Sequence, residues 1–207
     1  MADNGFFRPT DQRLSEVAGF RLPEGWWSRP WEYAWALGVA QTWHGHIAAD
    51  MGCGYTYRPF KDALANICEK VYAVDANPKV ADLEPHPGLE YVAADISAPI
   101  LAIPAGLLDR VYCISVLEDT QAKLPQILCE FARCLRDDGL ILLTFDTPYQ
   151  AGKPCPVWPG LGMGTFMEAM EAADLEFIGS EDWGRDEIIY HEEWNLTVCH
   201  AALRKAV

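Results

Sequence analysis

The 207-residue chain predicts an α/β fold, a three-layer sandwich of helices around a mostly parallel sheet. Three observations predict it. In His46-Ile47-Ala48-Ala49-Asp50-Met51-Gly52-Cys53-Gly54, a short apolar run ends in an acid and then in two glycines spaced by one residue. Such a run lacks polar alternation and reads as a buried strand, and the glycines let the backbone turn sharply and approach a ligand closely. Val71-Tyr72-Ala73-Val74-Asp75 repeats the pattern of apolar strand and terminal acid, roughly 20 residues further on, where a carboxylate can take both hydroxyls of a ribose. Finally, Leu124, Ile127, Leu128, Phe131 and Leu135 form the stripe of an amphipathic helix that leads into the apolar strand Leu140 to Phe145.

Residues 1–28 scatter Phe6, Phe7, Trp26 and Trp27 among prolines, glycines and charges. They read as an irregular arm that covers a cleft or, more plainly, pads the core. A helix follows from Pro30 to Trp43, with Ser28 as cap, Pro30 in the first turn, and Trp31, Ala34, Trp35 and Gly38 on one side. After the glycine turn, Phe60, Leu64 and Ile67 share one side of a helix from about Arg58 to Glu69. Ala76-Asn77-Pro78 opens a short helix, and Leu89 to Ala94 is the third strand, closed by Asp95-Ile96.

The fourth strand, Arg110 to Val116, ends in Leu117-Glu118-Asp119. The amphipathic helix carries Arg133 and Arg136 in its last turns, and Gly139 is placed to end it. Residues 149–163 form a Pro/Gly-rich loop with Tyr149 and Trp158, a substrate wall or lid at the end of a strand. A helix from about Thr165 to Ala173 leads to a strand over Leu175 to Ser180 and a last strand over Glu192 to Leu203.

With 50% hydrophobic residues the chain has material for one sizeable core. Residues 29–207 are expected to form a single domain behind the arm. The apolar runs are too short to span a bilayer and no signal-like segment is present, so a soluble cytoplasmic protein is expected, a monomer or homodimer, away from membranes. Thirty acids against 16 bases, formally −14, disfavour nucleic acid as a partner, since phosphate binding needs concentrated Lys and Arg. The seven cysteines show no paired spacing and read as reduced structural thiols. His44 and His46 lack a convincing third ligand, so no metal is expected.

Asp50-x-Gly52-x-Gly54 with Asp75 resembles motif I and the following acidic position of class I S-adenosylmethionine-dependent methyltransferases, of the small-molecule type. A dinucleotide fingerprint needs a third glycine where Tyr57 stands, which argues against an NAD(P)-dependent oxidoreductase. The third glycine of the methyltransferase pattern is replaced by Thr56. Ser115-Val116-Leu117-Glu118-Asp119 resembles the Ser-Val-Leu-Glu-His of many members, with Asp119 where histidine is usual.

The resemblance implies a Rossmann-like, seven-stranded, mostly parallel sheet with an antiparallel terminal strand, and S-adenosyl-L-methionine as cofactor. It places Gly52, Cys53, Gly54, Asp75 and Ala76 on the cofactor, with Asp50 orienting the glycine turn and Ser115 and Val116 at the next strand end. Asp95 and Ile96 would meet adenine, although Asp95 can equally cap a turn. Arg29 and Tyr33 lie in a segment resembling the helix that borders the cofactor's methionine end. Asp119 and His191 are nominated as bases, and Glu118, Tyr149, Trp158 and Tyr190 as contacts to a small-molecule methyl acceptor. A catalytically degenerate binding protein of the same fold is the rival from another class.

Overall fold

The computed structural model describes residues 3–39, 44–56, 59–84 and 86–206. In chain order the elements are β1 (Asp3–Phe6), β2 (Glu16–Val17), β3 (Phe20–Arg21), α1 (Arg29–Val39), β4 (Ile47–Met51), α2 (Pro59–Ile67), β5 (Lys70–Asp75) and β6 (Leu89–Ala93). They continue with β7 (Leu108–Ile114), α3 (Leu124–Cys134), β8 (Leu135–Pro148), α4 (Met163–Ala172), β9 (Leu175–Phe177), β10 (Ser180–Asp182), β11 (Tyr190–His191) and β12 (Leu196–Lys205). Tyr57, Arg58 and Trp43, which bound or mark expected features, lie outside the described residues.

Strands β6, β5, β4, β7 and β8 lie side by side in that order, all parallel, and β12 runs antiparallel against β8. β9 pairs antiparallel with β12, so the last strands close the sheet as the sequence leads one to expect. The fold is the Rossmann-like α/β sandwich. Within the parallel part β4, β5, β7 and the second half of β8 are buried on both faces because alternate residues serve opposite layers, while the edge strand β6 is only half-buried. Val111 and Cys113 join Leu124, Ile127, Leu128 and Phe131 of α3 and Phe166 of α4 on one face. Tyr112 and Ile114 join Tyr33 of α1 and Phe60 and Leu64 of α2 on the other. Burying the four α3 side chains contributes about 1.5–3 kcal/mol each before entropy is counted.

The structure shifts several expected boundaries. Helix α3 ends at Cys134, and Leu135 already starts β8, so Gly139 does not cap the helix. It sits inside the strand, where a Cβ would meet Leu135 Cδ1 at 2.6 Å and the Leu108 carbonyl at 3.0 Å. Arg136 accordingly does not serve the helix dipole; it pairs with Asp109 and Asp138 at 2.6 Å each. The arm is more ordered than its composition suggests: β1 lies between β10 and β12, extending the sheet to ten strands among the described residues, and β2 and β3 form a small hairpin. No helix among the described residues is long and apolar enough to cross a membrane.

Candidate functional site

The C-terminal ends of β4, β5, β7 and β8 converge on one side of the sheet, the usual ligand-binding edge of parallel α/β folds. Beyond β4 the chain turns through Gly52 and Gly54, at φ +83° and +73°. At Gly52 a side chain is doubly excluded, because a Cβ would lie 2.5 Å from Val116 Cγ2. The amides of Gly52 and Cys53 donate to the Val74 carbonyl at 2.8 and 3.0 Å, which locks the turn onto β5. The Gly54 amide donates to Asp75 Oδ2 and the Asn77 amide to Asp75 Oδ1, both at 2.8 Å. The Asp75 carboxylate is therefore fixed in orientation while its remaining lone pairs stay available to hydroxyls.

A cavity of about 120 Å³ begins at this turn and is bounded by Asp50, Gly52, Gly54, Tyr33, Arg29 and Ser115. Tyr33 is buried and stacks on Phe60, with ring centroids 4.9 Å apart. Cys53 lines the same cavity, and burial raises its thiol well above the usual range, followed by the negative charge of Asp50. It is no nucleophile there.

Arg29 and Ser115 also line a second cavity, of about 410 Å³. They are held by a residue the sequence reading passed over. Glu32 is fully buried, and its carboxylate accepts from Arg29 Nη1 at 2.7 Å, from the Ser115 hydroxyl at 2.7 Å and from the Thr144 hydroxyl. Burial alone would raise the Glu32 carboxyl; the Arg29 charge and hydrogen bonds from Ser28, Thr144 and Ser115 outweigh it and hold the group below the ordinary range. Burial likewise opposes the Arg29 charge, yet Glu32 keeps the guanidinium above its usual value. Ser115 sits at φ +48°, a conformation costly for a non-glycine residue. It persists because its amide donates to the Thr144 carbonyl at 2.8 Å, while its hydroxyl accepts from Arg29 at 2.6 Å and donates to Glu32.

The larger cavity carries Glu118, Asp119 and Asp146 beside four tryptophans: Trp26 and Trp27 from the arm, Trp158 from the Pro/Gly-rich loop, and Trp194 from the turn before β12. Half of the chain's eight tryptophans meet here, so the arm covers a cleft as well as padding the core. Burial, then the Asp146 charge, pushes the Glu118 carboxyl well above the carboxylate range. Burial, then the Glu32 charge, pushes Asp146 up to about 7. Asp119 is more exposed and raised too, chiefly by burial.

Other expected site residues fall further out. Asp95 is exposed, capping a turn through the Ser97 amide and hydroxyl while pairing with Lys123 at 2.8 Å, and these bonds hold it below the usual carboxylate range. Ile96 is buried in the core, Ala76 is exposed, and Val116 packs against Gly52. Tyr149 and Tyr190 stack on each other at 4.2 Å outside the lining of the larger cavity. His191 stacks on Trp194 at 3.8 Å and meets Trp27 edge-on at 5.9 Å, one layer behind the cavity wall. No group of His, Cys, Asp and Glu suited to a metal occurs among the described residues.

Residues 49–143, from β4 through the glycine turn, α2, β5, β6, β7 and α3 into β8, match the family model described as a methyltransferase domain. That match spans just under half of the chain, which over this segment is similar to a methyltransferase domain. No curated protein sequence matches it. Among solved structures, the [4+2]-cyclase SpnF superposes with TM-score 0.68 at 15% identity, covering 100% of this chain and 89% of that one. A TehB-like SAM-dependent methyltransferase from Corynebacterium glutamicum gives TM-score 0.57 at 19% identity over 84% and 86% of the two chains. Geranyl diphosphate C-methyltransferase from Streptomyces coelicolor, crystallised with S-adenosyl-L-homocysteine, gives 0.64 at 10% over 84% and 77%. At such identities these likenesses describe the fold alone.

Proposed function

We propose that the protein is an S-adenosylmethionine-dependent methyltransferase that moves a methyl group to an oxygen or nitrogen of a small-molecule acceptor. The observation that carries this reading is the wall of Arg29 and Ser115 shared by the two cavities, one beginning at the glycine turn and the other large enough for an acceptor. The residues around the smaller cavity fit the cofactor: a turn that admits no side chain at Gly52, a braced carboxylate at Asp75, and a cation at Arg29 for an amino-acid carboxylate. Tyr33, Asp50, Cys53, Gly54, Ser115 and Val116 complete that side, with Ala76, Asp95 and Ile96 toward the adenine.

When bound, the cofactor supplies an electrophilic methyl on an excellent leaving group, so the protein's task is alignment and exclusion of water. The Arg29–Glu32–Ser115 cluster orients the junction, and the tryptophans wall off solvent. Asp119 or Glu118 stands at the acceptor; His191, behind Trp27 and Trp194, acts only if the aromatic wall moves. Residues 29–207 would be the catalytic domain and residues 1–28 its cover, working in the cytoplasm as a monomer or homodimer without nucleic acid. Incubation with S-adenosylmethionine and a panel of amines, phenols and acids should yield S-adenosylhomocysteine with at least one acceptor, and Asp75→Ala should lower that yield sharply at sub-saturating cofactor. Cofactor binding without turnover on any acceptor would favour the second reading, a fold that binds the cofactor but no longer transfers methyl, for which Asp119 at the usual histidine position speaks. The SpnF superposition shows that this fold also carries a protein described as a cyclase.

A further inference from the structure

We propose that the acceptor is a small amine that enters the larger cavity as an ammonium ion, held between the Glu118 and Asp146 carboxylates and the tryptophan faces. This inference rests on the methyltransferase reading above. Three features of the cavity carry it.

First, Glu118 and Asp146 are only 6% and 9% exposed, and Glu118 Oε2 and Asp146 Oδ1 have no hydrogen-bond partner among the described residues. Leaving a buried carboxylate oxygen unpaired is costly unless a ligand completes it. Second, the charge of the guanidinium on this cavity is matched by Glu32, to which Arg29 Nη1 donates as it does to the Ser115 hydroxyl, while its other N–H groups remain for the cofactor's carboxylate. The wall therefore carries three carboxyls, with Asp119, beyond its one neutralised cation. Burial favours the protonated form of Glu118 and Asp146 without a ligand, and an ammonium ion is the acceptor that lets both ionise and pair; an alcohol offers one neutral hydrogen bond, and an anion opposes their ionisation. Third, Trp26, Trp27, Trp158 and Trp194 present aromatic surface to the same space, and indole faces attract organic cations more strongly than other rings do.

The same pair gives the reaction its proton acceptor. The ammonium gives one proton to the Asp146 carboxylate, and the freed nitrogen lone pair forms the bond to the methyl carbon. The carbon–sulfur bond breaks with its electron pair staying on sulfur. The products are a methylated ammonium ion and neutral S-adenosylhomocysteine, and Asp146 returns its proton to water as product leaves. A carboxyl in the position of the usual histidine acceptor is thus not required: Asp146, at the end of the neighbouring strand, serves instead.

The test compares matched probes. Amines of increasing size, such as propylamine, phenethylamine and tryptamine, are titrated calorimetrically beside the alcohol and the carboxylic acid of the same skeleton, with and without S-adenosylhomocysteine. At least one amine should bind ten-fold or more tighter than its alcohol, and the acids should bind weakest. Glu118→Gln and Asp146→Asn, singly and together, should erase that preference while keeping a cooperative melting transition, because neutral amides are less costly than unpaired buried carboxylates. Equal or tighter binding of the alcohols or acids, or an amine preference that survives both substitutions, overturns the proposal. Failure of S-adenosylhomocysteine to bind at all would refute the methyltransferase reading, whereas binding of it without an amine preference refutes only the acceptor class.

Discussion

Glu32→Gln should be among the most destabilising single changes in this chain. The carboxylate is fully buried and ties α1 to the ends of β7 and β8 through Arg29, Ser115 and Thr144. The substitution keeps the shape but strands the Arg29 charge and turns an amide donor toward hydroxyls that now donate. Breaking a buried pair from one side costs about 3–5 kcal/mol. The Arg29 side chain keeps 28% exposure, so the lower end applies, about 3 kcal/mol. In a chain of this size each kcal/mol moves the melting temperature by about 2–4 °C, giving a drop of about 6–12 °C. Thermal and urea unfolding followed by circular dichroism measure it. Removing both charges together is the control: Arg29→Met/Glu32→Met should lose less than Glu32→Met alone, because no stranded charge remains. A Glu32→Gln protein melting within about 2 °C of the parent, or a double variant no better than the single, would refute the view that this pair braces the junction.

Two further outcomes follow from the geometry. Gly52→Ala, whose Cβ would lie 2.5 Å from Val116 Cγ2 at φ +83°, should cost about 1–3 kcal/mol in unfolding free energy and weaken S-adenosylhomocysteine binding by displacing the turn; unchanged melting and binding would show the turn to be freely deformable. His200 is buried against Phe7 and Trp35, and burial lowers it to about 4 despite Asp3 at 3.8 Å. Its folded value lies below the unfolded one, so its stability contribution is complete above about pH 6.5 and is lost as pH falls toward 4, at up to about 1.4 kcal/mol per pH unit. Urea midpoints across that range should fall in the parent and flatten in His200→Phe; parallel curves would contradict the assignment.

The glycine turn and Asp75 were legible in the sequence because their chemistry is local: a strand, a break and an acid at set intervals announce themselves within thirty residues. Glu32 was not. A glutamate in the first turns of a helix reads as solvent-facing, and the side expected to pack, Trp31, Ala34, Trp35 and Gly38, is only partly the buried one: Gly38 is exposed while Glu32, Tyr33 and Ala36 are buried. What turns Glu32 inward is Ser115 and Thr144, more than eighty residues away in sequence. Asp146 carried a usable signal, an acid at the end of an apolar strand like Asp50 and Asp75, which reads as a site position once the strand order is known. The end of α3 was misplaced because Gly139 looks like a cap, whereas its lack of a side chain serves close packing on Leu135 and Leu108. β1 could not be anticipated, since its pairing depends on β10 and β12 at the other end of the chain.

The central claim is tested most directly by calorimetric titration of S-adenosylhomocysteine into the parent protein and Asp75→Ala, with NADH in parallel. The account predicts micromolar binding to the parent and none of NADH. The loss in Asp75→Ala should be about 30- to 150-fold, the value of about 2–3 kcal/mol of charge-assisted hydrogen bonds to two hydroxyls. NADH binding, or equal affinity of a folded Asp75→Ala for S-adenosylhomocysteine, would contradict it.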